Sequence, residues 1–144
     1  MVFVSTVSLA AAVTALAFLS PGPAEASSTC NPTKALNLLR QGQVASVDGN
    51  KKKAVAIQMH AAVEAWICYQ DQTQSARVRG TMGKAAAHIA NGAAQDAEAV
   101  GDDRGAVKLA KLALTAYKTI ARDRSLPLDI RTYADGAVEA ATSP

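Results

Sequence analysis

The segment Asn50–Asp71 constrains the fold of this chain more than any other. Its sequence, NKKKAVAIQMHAAVEAWICYQD, repeats apolar residues at helical spacing along two faces. The first face holds Val55, Met59, Ala62, Val63 and Trp66, and the second holds Ala54, Ile57, Ala61, Ala65 and Cys68. One polar line remains, formed by Lys53, His60, Glu64 and Asp71. Because a helix buries two apolar faces only between two neighbours, the pattern predicts a central helix inside a stack.

Helical periodicity also extends over the rest of the chain after residue 30, and no segment alternates as a strand does. The predicted helices are Thr33–Val47, Asn50–Asp71, Ala76–Val100, Arg104–Asp123 and a fifth that follows a Ser125 cap. Gly80 and Gly83 weaken helix propensity, which predicts a break or kink between them. The predicted fold class is therefore all-α, with about five helices.

An internal repeat indicates how these helices are arranged. Residues 49–71 align with residues 101–123 at a constant offset of 52, so that Gly49 matches Gly101 and Asp71 matches Asp123. Two like helical hairpins predict a stack of antiparallel hairpins. An irregular five-helix bundle satisfies the same periodicities and remains the alternative.

The two aligned segments carry a resemblance to a known family. GDDRGAVKLAKLAL at 101–114 and GNKKKAVAIQMHAA at 49–62 resemble the turn and second helix of a tetratricopeptide repeat, and Gly42 stands where that family has a glycine in its first helix. The chain departs from the family in its offset of 52, against a period of about 34, and in having mostly alanine in place of large aromatics. The resemblance implies a stack of helical hairpins that holds proteins or peptides and has no catalytic residues.

The N-terminus has the pattern of an export signal. Residues 1–20 are uncharged and apolar, Pro21-Gly22-Pro23 would interrupt a helix, and Ala24-Glu25-Ala26 suits cleavage after Ala26. We therefore predict a signal peptide at 1–26 and one mature domain at 27–144, periplasmic or secreted, with no stable membrane span after cleavage. An uncleaved anchor is the alternative, since about 20 apolar residues can span a bilayer. Loss of Glu25 would raise the formal net charge from +3 to +4.

Cys30 and Cys68 are the only cysteines, and both remain after the predicted cleavage. Each lies 19 residues from Gly49, the centre of the first predicted hairpin turn. In an antiparallel hairpin they face each other at its open end, and exported chains commonly pair their cysteines. The spacing thus predicts a disulfide that fastens the hairpin.

A basic line is the most distinctive predicted surface. Helical spacing places five cations on one face of the fourth helix, Arg104, Lys108, Lys111, Lys118 and Arg122. This line could meet an acidic protein or peptide partner, or it could serve only to keep an apolar helix soluble. Export and the lack of interleaved aromatics argue against nucleic acid.

No motif indicates catalysis, a metal or a cofactor. His60 and His88 have no second strong ligand at helical spacing, apart from Glu64 one turn after His60, and the chain lacks the CxxCH and HxxxH motifs. The segment 79–85 lacks the spacing of a phosphate loop. We therefore predict a non-enzymatic, exported protein- or peptide-binding module. The alternative is an envelope carrier of haem, a metal or an apolar small molecule.

Overall fold

The structure, a computed structural model, describes residues 29–143, so the predicted signal peptide at 1–26 lies outside the described residues. Five α-helices and no strand occur between residues 29 and 143, which confirms the all-α prediction. The helices are α1 (Pro32–Val47), α2 (Lys51–Gln70), α3 (Ala76–Ala99), α4 (Asp103–Arg122) and α5 (Leu128–Thr142).

Polar side chains define where four of the helices begin. In each case the side-chain oxygen of the cap residue accepts a hydrogen bond from the backbone N–H three residues later; the caps are Asn31, Asn50, Ser75 and Asp102. A cap of this kind typically stabilises a helix by about 1 kcal/mol. The predicted Ser125 cap of α5 is wrong, because Pro127 precedes that helix without a side-chain cap and Ser125 donates instead to Asp123.

The two hairpin turns have the same geometry, as the repeat predicts. Gly49 and Gly101 have φ angles of 86° and 83°, a left-handed conformation that glycine adopts without strain. The next residue in each turn, Asn50 or Asp102, donates its backbone N–H to a carbonyl of the preceding helix, at 2.9 Å in both turns. The offset of 52 in the sequence is therefore reproduced in backbone structure.

Each helix packs chiefly against the helices before and after it in the chain. The result is the predicted stack of antiparallel hairpins, α1 with α2 and α3 with α4, with α5 added against α4. Helix α2 lies between α1 and α3, so the prediction of a central helix with two buried faces is confirmed. Helix α1 lies at an end of the stack, and its apolar residues Leu36 and Val47 are exposed for that reason.

The predicted break near Gly80 and Gly83 is wrong, since α3 is continuous over Ala76–Ala99. The glycines are points of close packing instead. A Cβ placed on Gly80 would lie 2.7 Å from Cδ1 of Ile130 on α5. A Cβ on Gly83 would overlap Cδ1 of Ile120 on α4 and approach the Tyr69 ring on α2 to 3.1 Å. Close contact between helices therefore offsets the low helix propensity of these two residues.

The predicted disulfide between Cys30 and Cys68 is present. It joins the segment before α1 to the last turn of α2, with the two Cα atoms 4.3 Å apart. Trp66 and Tyr69 pack beside it, buried, with their ring centroids 4.7 Å apart. These two aromatic residues are thus part of the core around the bridge.

A buried polar network joins the ends of three helices at the same end of the stack. The Tyr69 hydroxyl donates to Asp123 at 2.6 Å, and the Arg79 guanidinium lies 3.6 Å from the same carboxylate. Arg79 also donates through Nε to the Tyr69 carbonyl at 2.9 Å, which satisfies a carbonyl at the C-terminus of α2. The network fixes α2, α3 and α4 relative to one another.

Candidate partner-binding surface

The predicted basic line lies on the side of α4 that faces away from the core. Arg104, Lys108, Lys111 and Arg122 are exposed, and Lys118 is half-buried. Among residues 29–143 none of these five side chains forms a salt bridge. The line is therefore a row of cations that no acid within the described residues neutralises. Its role as a partner contact stays a prediction.

An open groove of about 620 Å³ adjoins the basic line at Lys111. We call it the α3–α5 groove, because α3 and α5 form its walls and α4 its floor. Its lining residues are His88 and Asn91 from α3, Val107, Ala110, Lys111, Ala113, Leu114 and Tyr117 from α4, and Tyr133, Ala137, Ala140 and Ala141 from α5.

The groove exists because α3 and α5 meet at one end and not at the other. Gly80 brings the two helices together at Ile130. Just over three turns further along α3, a Cβ added to Gly92 would meet nothing within 4 Å. The facing wall of α5 is built mainly from alanine, whose methyl groups do not reach across the gap. Val107 of α4 consequently remains 55% exposed.

Two tyrosines and a lysine occupy the narrow end of the groove. The rings of Tyr117 and Tyr133 lie 6.4 Å apart, and Nζ of Lys84 lies 4.3 Å from the Tyr133 centroid, a cation–π contact. Burial, with a smaller effect from Tyr133, raises the pKa of Tyr117 to about 12. Tyr117 therefore stays neutral at physiological pH.

The two walls differ in chemistry. The α3 wall is polar and includes His88 and Asn91, with Lys84 one turn before His88. The α5 wall is apolar apart from the Tyr133 hydroxyl. None of the lining residues is acidic. The arrangement suits a ligand with one apolar side and one acidic or polar side.

Sequence analysis did not identify this groove. Tyr133 of α5, for example, is 48% exposed and lines the groove. The apolar stripe of α4 could have indicated an uncovered surface, because it includes Val107 and Leu114 and is wider than a single neighbouring helix can cover. Neither residue belongs to the buried set of that helix.

A second polar cluster lies between α1 and α2. Glu64, predicted on a polar line, is fully buried and its carboxylate lies 3.3 Å from Lys34 Nζ of α1. His60 is also buried, with Nε2 at 3.8 Å from the same carboxylate. The central part of the polar line thus faces a neighbouring helix rather than solvent. Among residues 29–143 no three His, Cys, Asp or Glu side chains come together as a metal site.

Comparisons with protein-family models, with characterised proteins and with solved structures find no match to this chain. The resemblance to tetratricopeptide repeats therefore stays a prediction. None of the helices between Pro32 and Thr142 combines the length and the apolar composition that a bilayer crossing requires.

Proposed function

We propose that this chain is an exported, non-catalytic module that binds a protein or peptide partner on the surface around α4. Its mature form would act in the periplasm or outside the cell. The basic line and the groove beside it would form the contact, and the partner would be acidic.

One observation carries this proposal: α4 presents uncovered apolar residues and unneutralised cations side by side. Val107 is exposed although it continues the apolar stripe of the helix, and Lys108 and Lys111 flank it without a salt bridge to any described residue. A solvated face needs only the charges. Exposed apolar side chains beside charges of one sign are typical of a docking surface.

Export is supported by the disulfide together with the signal-peptide pattern. Disulfides form and persist in oxidising compartments, and the Cys30–Cys68 bridge is part of this fold. Intact mass of the protein from its native cells tests this part directly. We expect a chain that begins at Ser27 and lacks two thiol hydrogens, whereas a full-length chain with two free thiols would contradict export.

Site-specific photo-crosslinking in the native cells tests the binding role. A photoreactive residue replaces Lys108 on α4, and a matched one replaces Gln43, an exposed residue of α1. We expect one discrete polypeptide adduct at position 108 and none at position 43. In a second version of the protein the photoreactive residue stands at Val107 of α4, where we also expect a polypeptide adduct. Adding the triple charge reversal Lys108→Glu, Lys111→Glu and Lys118→Glu to this version should remove the adduct. An absence of polypeptide adducts at both α4 positions would overturn the proposal.

The alternative is a carrier of a small molecule, favoured by one observation. The groove volume of about 620 Å³ lies within the range of small-ligand sites. Native mass spectrometry and absorbance of the purified protein distinguish the two functions. A retained small molecule of defined mass supports a carrier.

A further inference from the structure

We infer that the α3–α5 groove receives an amphipathic helix of the partner, with acidic side chains along one side of that helix. This inference rests on the proposed function and specifies its partner. It also assigns the principal contact to the groove and Lys111 rather than to the whole basic line.

The backbone of the groove favours a helix over an extended peptide. Both walls and the floor are helices, whose backbone N–H and C=O groups are already bonded within each helix. Residues 29–143 contain no strand whose edge could pair with an extended chain. Burying an extended segment would therefore leave its own backbone groups without partners, whereas a helix satisfies them internally.

The size of the groove leads to the same conclusion. Its floor runs along α4 from Val107 to Tyr117, a length of about 15 Å at the helical rise of 1.5 Å per residue. That length matches about three turns of a bound helix. Ala110, Ala137 and Ala141 lie along it, and such small residues let a helix approach closely. The apolar face of the occupant would lie on this floor and on the α5 wall.

The charges specify the other face of the occupant. Lys111 lines the groove, Lys84 lies over the ring of Tyr133, His88 stands on the α3 wall, and no lining residue is acidic. Acidic side chains along the edge that faces α3 would therefore meet both lysines. Residues 1–20 of this chain carry no charged side chain, so that segment does not supply the acids.

The internal repeat shows that the fold can close this position with apolar residues. At an offset of 52, Lys111 corresponds to Met59, Asn91 to Leu39 and Ala141 to Ile89. Met59 and Ile89 are buried in one apolar cluster, and Leu39 packs against it. Helices α3, α4 and α5 have Asn, Lys and Ala at the equivalent places and leave the space open. The groove is thus specific to the part of the stack formed by α3, α4 and α5.

Selection from a display library of random 16-residue peptides on the immobilised, disulfide-bonded mature chain tests the inference. We expect the enriched peptides to carry apolar residues at helical spacing with Asp or Glu on one flank. Enrichment of peptides without this pattern, or of none at all, would overturn the inference. Enriched peptides that bind with no sensitivity to groove variants would overturn it as well.

Two lysines of α4 provide a matched pair of variants. Lys108 and Lys111 are both exposed and lie three residues apart, but only Lys111 lines the groove. We expect Lys111→Glu to weaken binding of an enriched peptide about tenfold at low salt, with the difference shrinking in high salt, and Lys108→Glu to change it less than about twofold. Val107→Glu should weaken binding by a similar factor. Equal effects of both lysine variants would refute the groove as the principal contact.

The results separate failure of this inference from failure of the proposed function. A polypeptide crosslink at position 108 that survives both Lys111→Glu and Val107→Glu leaves the proposed function intact and refutes the groove. A dimer of this chain, detected as a crosslink of twice the chain mass at position 107, identifies a second copy as the occupant and also refutes the inference. The variant residues are exposed, so circular dichroism should show unchanged helix content.

Discussion

Gly83 and Gly92 lie in the same helix and predict opposite effects of the same substitution. In Gly83→Ala the new methyl group would overlap Cδ1 of Ile120 and lie 3.1 Å from two ring carbons of Tyr69. The Tyr69 ring cannot move freely, because its hydroxyl is bonded to Asp123 at 2.6 Å. In Gly92→Ala the methyl group meets nothing within 4 Å.

Both substitutions raise helix propensity by about 1 kcal/mol. For Gly92→Ala nothing opposes this gain, so we expect the free energy of unfolding to rise by up to about 1 kcal/mol. For Gly83→Ala, overpacking costs about 1–3 kcal/mol, and disturbing the partly buried Tyr69–Asp123 hydrogen bond costs about 1–3 kcal/mol more. After the propensity gain of about 1 kcal/mol is subtracted from these costs, we expect Gly83→Ala to lower the free energy of unfolding by about 1–5 kcal/mol.

Urea denaturation of the disulfide-bonded mature chain, followed by circular dichroism, measures both values by linear extrapolation. The double variant Gly83→Ala with Ile120→Val lacks the overlapping Cδ1 and should recover part of the loss. If Gly83→Ala stabilised the protein as much as Gly92→Ala does, α3 would not pack against Tyr69 and Ile120 in the way described here. The explanation of the continuous α3 helix would then fail.

Two further predictions concern the disulfide and the partly buried carboxylate of Asp123. Cys30→Ser with Cys68→Ser should lower the free energy of unfolding by about 4 kcal/mol, because the bridge closes a loop of 38 residues; urea curves that coincide with those of the oxidised protein would contradict this. Burial alone would raise the pKa of Asp123, but hydrogen bonds from Ser125 and Tyr69 and the charge of Arg79 outweigh it and lower that pKa. Asp123 therefore contributes stability above about pH 4 that is lost as the pH falls through its lowered pKa. When the free energy of unfolding is measured from pH 2.5 to 6, Asp123→Asn should make its decrease toward acid pH less steep. An unchanged slope would refute this role.

The two hairpin turns and the disulfide could be predicted because local chemistry determines the turns. Gly49 and Gly101 take a left-handed conformation, and Asn50 and Asp102 cap the helices that follow, so a few residues set each turn. Once the first turn is fixed, helical geometry determines which residues lie opposite at the far end of the hairpin. Cys30 and Cys68 could be paired for that reason.

The glycines of α3 and the groove could not be predicted, because both depend on packing between distant segments. Helix propensity counts Gly80 and Gly83 as helix breakers. The contacts that favour glycine at these positions are with distant residues, such as Ile130, which lies 50 positions after Gly80. Periodicity likewise identifies the apolar side of α4 but does not say how far α5 covers it. The same limit applies to Glu64, whose burial depends on Lys34 of another helix.

Helix α5 is the least constrained wall of the groove, and this bears on how a partner would enter. It begins without a side-chain cap, and it meets α3 chiefly at the end near Gly80. The ion pair that joins it to α3, Arg77 with Asp129 at 2.7 Å, is between exposed side chains and contributes little. Helix α2, in contrast, is buried on two sides and fastened by the disulfide. Amide hydrogens of α5 should therefore exchange faster than those of α2, and an occupant of the groove should slow exchange in α5 more than in α2. Equal protection of the two helices in the free protein would show that α5 is fixed and that the groove binds as a rigid surface.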